Sequence, residues 1–155
     1  MPFKPSTTLD NILATGVAGL NILTDTRVFA GCVTGRREWP LSAMERLCGV
    51  RLQAALRHLE LQLESVSDDP QRPVLTLQAV HSAEHAPFLG LNRAQAAVLE
   101  GAVLVSRLRL LPPEKIDTEM AYLQIAIDKT AAPEELQAWA WLREAITAHR
   151  SRSLA

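Results

Sequence analysis

Apolar residues follow two different spacings along this chain, and the change comes near residue 90. Before that point short β-rich runs dominate; after it the spacing is helical almost to the end. The first segment, Pro5 to Gly16, carries helix punctuation at both ends: Ser6 suits an N-cap, and Gly16 suits the position just past the C-terminus. Val17–Leu23 (VAGLNIL) is nearly all apolar and reads as a strand, expected to be buried on both faces. Val28–Val33 is a second apolar run whose type the spacing leaves open. Gly35–Leu52 mixes Gly, Pro and charges and reads as an irregular excursion with one helical turn at Ser42–Cys48. From Leu56 the alternation is clean. Leu59, Leu61, Leu63 and Val66 alternate with His58, Glu60, Gln62 and Glu64, as in a half-exposed strand whose polar positions face solvent. A turn at Asp68-Asp69-Pro70 and a return run through Val74, Leu75, Leu77, Ala79 and Val80 complete an antiparallel hairpin.

Three helices follow. Asn92 is placed to cap a helix reaching about Leu110, with Gln95 at the capping-box position. Pro112-Pro113 ends it and starts a second, Glu114 to about Lys129, in which Ile116, Met120, Leu123 and Ile127 keep one buried face. Pro133 opens the third, through Leu136, Trp139, Leu142, Ala145 and Ile146. Trp139 and Trp141 are two positions apart and face nearly opposite sides. One fits the core; the other needs a second surface, which points to a dimer contact.

Composition narrows the class without naming a function. The chain has 155 residues, about one domain, and 48% of them are apolar, which excludes a disordered chain. Sixteen Lys and Arg against seventeen Asp and Glu leave no general field to attract nucleic acid or an anionic membrane. No run reaches the about 18 apolar residues of a spanning helix, and no signal peptide opens the sequence, so a cytoplasmic location is expected. Cys32 and Cys48 form no CxxC pair and read as thiols of a reducing compartment.

Two places carry candidate chemistry. Lys4, Ser6, Thr7 and Thr8 gather a cation and three hydroxyls at a helix start, where free N–H groups and the helix dipole favour a phosphate. Capping alone is the commoner reason for such residues. The second place is His81-Ser82-Ala83-Glu84-His85, which matches the H-x-x-E-H zinc-peptidase pattern. That chemistry needs a helix, so that both imidazoles project from one face. Here the match sits at a strand-to-loop exit before Pro87, so two exposed loop histidines and no metal site are expected. No G-x-G-x-x-G, P-loop or G-x-S-x-G occurs.

The segments MPFKPSTTLDN with GLNILTD, and PFLGLNRAQAAVLEGAVLVSRLRLLP with IDKTAAPEE, resemble the domain-of-unknown-function family numbered 447. The resemblance runs from about Pro2 to His149 in the family's order. It implies an α+β fold: a flavin-reductase-like split β-barrel over residues 1–88, a three-helix subdomain over 89–150, and a polar tail at 151–155. It further implies FMN as cofactor, with Lys4, Ser6, Thr7, Thr8 and Asn11 on the phosphate side and Asn92 and Arg93 at the family's NRA motif. Family members share strands with a TT…G…APMG-like pattern upstream of the PF segment, whereas here Met1 directly precedes Pro2-Phe3. The barrel is therefore expected to be incomplete, with three or four strands. As an enzyme, such a homodimer passes hydride or electrons from a reduced nicotinamide nucleotide to an acceptor, and the flavin rather than a side chain does the chemistry. The alternative is a non-catalytic dimerising or small-ligand-binding module that has lost its flavin.

Overall fold

The computed structural model describes residues 6–67, 69 and 73–153. The chain divides into two compact units: residues 1–23 with 40–88, and residues 24–39 with 89–155. The fold is mixed α+β with antiparallel sheets and a helical C-terminal region.

The first unit opens with α1 (Thr7–Thr15). Ser6 caps it by accepting the Leu9 N–H, and Gly16 ends it with φ 69°, a left-handed conformation that costs glycine little. Leu9 and Ile12 are the buried residues of this helix. β1 (Val17–Ile22) follows and pairs antiparallel with β4 (Arg57–Ser67), which pairs on its other side with β5 (Val74–Glu84). The three-stranded order is β1-β4-β5, so β1 is an edge. That position corrects the expected double burial of VAGLNIL, since Leu20 and Ile22 remain exposed.

The excursion at 35–52 contains no helical turn. It holds a short hairpin of β2 (Leu41–Ala43) and β3 (Val50–Leu52), tied to β1 where Asn21 Oδ1 accepts the Leu52 N–H at 2.9 Å. Among the described residues these five strands make a three-stranded and a two-stranded sheet and close no barrel.

The second unit is helical. α3 (Arg93–Ser106), α4 (Pro113–Thr130) and α5 (Pro133–Ser153) are joined by α2 (Thr26–Val33), the apolar run whose type was open. Asp25 caps α2 through the Arg27 N–H. The stretch 24–39 thus belongs with the helices although it lies inside the β-rich part of the sequence. Helix α5 runs on to Ser153, so the expected polar tail is helical that far. Helix α3 is shorter than its spacing suggested and stops at Ser106, leaving Leu110 exposed.

The core of this unit is built from small and branched residues: Ala97 and Val98 of α3, Ile127 of α4, Leu142 and Ile146 of α5, and Ala30 of α2. Full burial of a side chain like Leu142 contributes about 1.5–3 kcal/mol. Trp139 is buried and donates its indole N–H to Gln124 Oε1 at 2.7 Å, satisfying the polar atom that burial would otherwise strand. Trp141 finds its second surface within the chain: the Arg36 guanidinium lies 4.2 Å from the ring centroid.

Candidate functional site

Of the predicted phosphate-side residues, Ser6, Thr7, Thr8 and Asn11 lie at and just after the start of α1. Of its leading N–H groups, that of Leu9 goes to Ser6 Oγ at 3.3 Å and that of Asp10 to the Ser6 carbonyl at 3.0 Å. The Thr7 and Thr8 N–H groups make no bond to a described residue. Thr7, Thr8 and Asn11 are exposed, and their side chains likewise bond to no described residue. Lys4 lies outside the described residues. Asp10, in the first turn, complements the helix dipole itself. Asn92 and Arg93 belong to the other unit. The Asn92 side chain is committed to a capping box: its Oδ1 accepts the Gln95 N–H at 2.8 Å, and Gln95 Oε1 accepts the Asn92 N–H at 2.9 Å. Arg93 is exposed at the first position of α3.

A second constellation lies on β4, where the polar positions were expected to face solvent. His58 and Glu60 are instead both fully buried, 0% exposed. The reason is the segment after β2, which folds over that face and places three backbone N–H groups on the Glu60 carboxylate. Oε1 accepts from Glu45 at 2.6 Å; Oε2 accepts from Arg46 at 2.9 Å and Leu47 at 2.6 Å. Burial by itself would raise the Glu60 pKa, but these bonds and one from His58 outweigh it and bring it down to about 2.

An ionised carboxylate only accepts, so His58 carries its proton on Nε2, 3.3 Å from Glu60 Oε1. With its single proton given to Glu60, a His58 of that tautomer has a bare Nδ1, 2.9 Å from His85 Nε2 and placed to accept from it. The two rings are nearly parallel, 17° apart, with centroids 5.1 Å apart. Desolvation, then the Arg51 charge and the neighbouring His58 ring, hold the His85 pKa below its ordinary value, which favours the neutral ring at pH 7. Glu60 stands opposite His81 in the β4–β5 register, and a bulge follows at once between Glu60 and Leu61. His81 in turn donates from Nε2 to Glu45 Oε2 at 3.1 Å.

The H-x-x-E-H match therefore meets an extended strand. Glu84 pairs with Arg57 at 3.9 Å. Among the described residues no group of His, Cys, Asp and Glu is arranged to hold a metal ion. Of the two histidines, His85 is the expected exposed loop residue, though engaged by His58, whereas His81 lies half-buried within β5. Sequence reasoning passed over His58 and Glu60. The signal lay in the hairpin, because pairing β4 with β5 brings H-x-E on one strand against His81 on the other and near His85 just beyond it.

Comparison with known proteins gives a consistent picture. The family described as protein of unknown function (DUF447) matches twice: its N-terminal domain over residues 1–86 and its C-terminal part over residues 92–144. A crystal structure of the FMN-bound protein MM1853 from Methanosarcina mazei, assigned to DUF447, has a similar fold. The TM-score is 0.76 at 21% identity, over 92% of this chain and 78% of that one. No curated protein matches the sequence.

Proposed function

Because the chain belongs to the DUF447 family, we propose that it binds FMN, with the phosphate held at the start of α1. The observation that carries this reading is the fold shared with the FMN-bound DUF447 protein. The α1 terminus fits a phosphate on its own chemistry, through the N–H groups of Thr7 and Thr8, which bond to no described residue, and exposed hydroxyls on a helix N-terminus. Ser6, Thr7, Thr8 and Asn11 are the direct contacts of this reading, Ser6 also capping the helix, and Lys4 adds charge. Asn92 serves the helix it caps, and Arg93 is the remaining cation of the predicted set.

A bound flavin supplies hydride or electron transfer. The residues of this chain bind and orient it, and the electron donor of this reading is a reduced nicotinamide nucleotide. A homodimer is part of the same proposal. Its support is the apolar groove on the helical unit, lined by Val28, Phe29, Val33, Leu99 and Val103, where Phe29, Val33 and Val103 are exposed.

The test is the visible absorption spectrum of the purified chain incubated with FMN and then desalted. A retained band near ~450 nm at close to one flavin per chain, with FMN identified by mass, is the expected result. A colourless protein that ignores FMN would overturn the reading and leave the non-catalytic dimerising or ligand-binding module.

A further inference from the structure

We propose that Glu60, His58 and His85 form a proton-transfer site, in which His85 exchanges a proton with a small molecule whose reacting group gains or loses one, and His58 holds that proton inside the fold. The proposal stands whether or not a flavin is bound.

The geometry supplies each part. Glu60 is a fixed acceptor, immobilised by the N–H groups of Glu45, Arg46 and Leu47. It orients His58, the next residue on the same face of β4, so that Nδ1 meets His85 Nε2. His85 is exposed, and its Nδ1 bonds to no described residue. A buried carboxylate, a buried imidazole and an exposed imidazole thus stand in line.

The step balances without any co-reactant. The small molecule's bond to its proton breaks, leaving its conjugate base, and that proton bonds to His85 Nδ1; the Nε2–H bond of His85 breaks, and its proton bonds to Nδ1 of His58. The result is a His58 imidazolium beside the Glu60 carboxylate, and the reverse sequence returns the proton. The other charged or titratable groups around the pair are Arg51 of β3, which opposes a positive His85, and His81 of β5, whose ring centroid lies 6.0 Å from that of His58. Glu45, bonded to His81, completes the set and favours a positive charge on His85.

Nitrogen-15 NMR of the imidazole nitrogens in the full chain tests this. At neutral pH both rings are expected to carry the proton on Nε2, and on acidification both should respond with one common midpoint and take up one proton between them. Glu60→Gln removes the counter-charge and should lower the proton affinity of the pair about tenfold or more, read as a shift of about one pH unit. His85→Ala, at an exposed position, should leave His58 titrating alone at a different midpoint. The proposal is overturned by an Nδ1–H tautomer on His58, by independent midpoints for the two rings, or by a His58 midpoint unchanged in His85→Ala. Should Glu60→Gln not fold, the wild-type tautomers and His85→Ala decide the matter.

Discussion

Glu60 Oε2 and the backbone N–H of Leu47 lie 2.6 Å apart across a sequence separation of 13 residues. Together with the bonds from Glu45 and Arg46, this contact turns one buried carboxylate into the anchor of the segment between β2 and β3. Glu60→Gln keeps the shape but sets an amide N–H against a backbone N–H. The expected cost is about 2–4 kcal/mol, from lost charge-assisted bonds and a stranded donor. Urea unfolding measures it, and the amide resonances of Glu45–Leu47 should move most. A stability equal to wild type would mean that the segment is held by other contacts.

Acid should weaken the fold in two windows. The Glu60 carboxyl is held at about 2 against an ordinary 4.5, so its stabilising contribution is complete above pH 4.5 and is lost as pH falls toward 2. His85 is depressed below 6.5, so on acidification the unfolded chain takes up that proton first, and stability again falls with pH. The melting temperature should therefore decline from neutral pH downward. In Glu60→Gln the decline below pH 4.5 should be flattened, and an undiminished slope there would assign it to other carboxyls.

The flavin reading places hydrogen bonds at α1. Ser6→Ala combined with Thr8→Ala should weaken FMN by about 2–4 kcal/mol, from about 1–2 for each charge-assisted bond. Ser6→Ala also removes the helix cap, so the melting temperature must be followed beside the affinity. Unchanged FMN affinity in a folded double variant would move the phosphate elsewhere.

Gly31 has no room for a side chain. A Cβ there would lie 2.8 Å from Cη2 of Trp39 and closer still to Cζ2. Gly31→Ala should cost about 1–3 kcal/mol through overpacking against a rigid ring. Thermal unfolding with tryptophan fluorescence reads both the loss and the displaced indole; a wild-type midpoint would show that Trp39 swings away freely.

Arg36 serves two partners, the ring of Trp141 and the carboxylate of Glu144 at 3.5 Å. Arg36→Ala should cost about 0.5–1 kcal/mol, since the stacked pair is partly exposed and the ion pair is a surface one. Arg36→Lys should recover little, because an ammonium lacks the flat face that covers the indole. Equal stability of all three proteins would reduce the contact to a coincidence of packing.

Much of the architecture was legible because its signals are local. Ser6 and Gly16, the Asn92–Gln95 box, and Pro113 with Pro133 each mark a helix end by chemistry confined to one turn. The hairpin of β4 and β5 was equally legible from alternation. What alternation missed was the side that is buried. A polar residue on a strand faces solvent only if nothing folds back over it, and the three N–H groups that cover Glu60 come from an irregular segment without periodicity. The same holds for β1, whose apolar run says nothing about its place at a sheet edge. Trp141 shows the limit from another direction, since its partner Arg36 lies in the stretch 24–39, far away in sequence.

That stretch has a consequence for how the chain can be made and inherited. Its path leaves the first unit at residue 24, returns at 40 and leaves again at 89. During synthesis α2 emerges with the whole of 40–88 still to be translated before α3, and it must wait for the helices it packs against. Nor does the gene divide where the sequence changes character. Cut between 88 and 89, one fragment would carry an unclaimed helix and the other would lack Ala30, Arg36 and Trp39. Shuffling either half alone would therefore be penalised, and the two units are expected to pass from gene to gene as one piece.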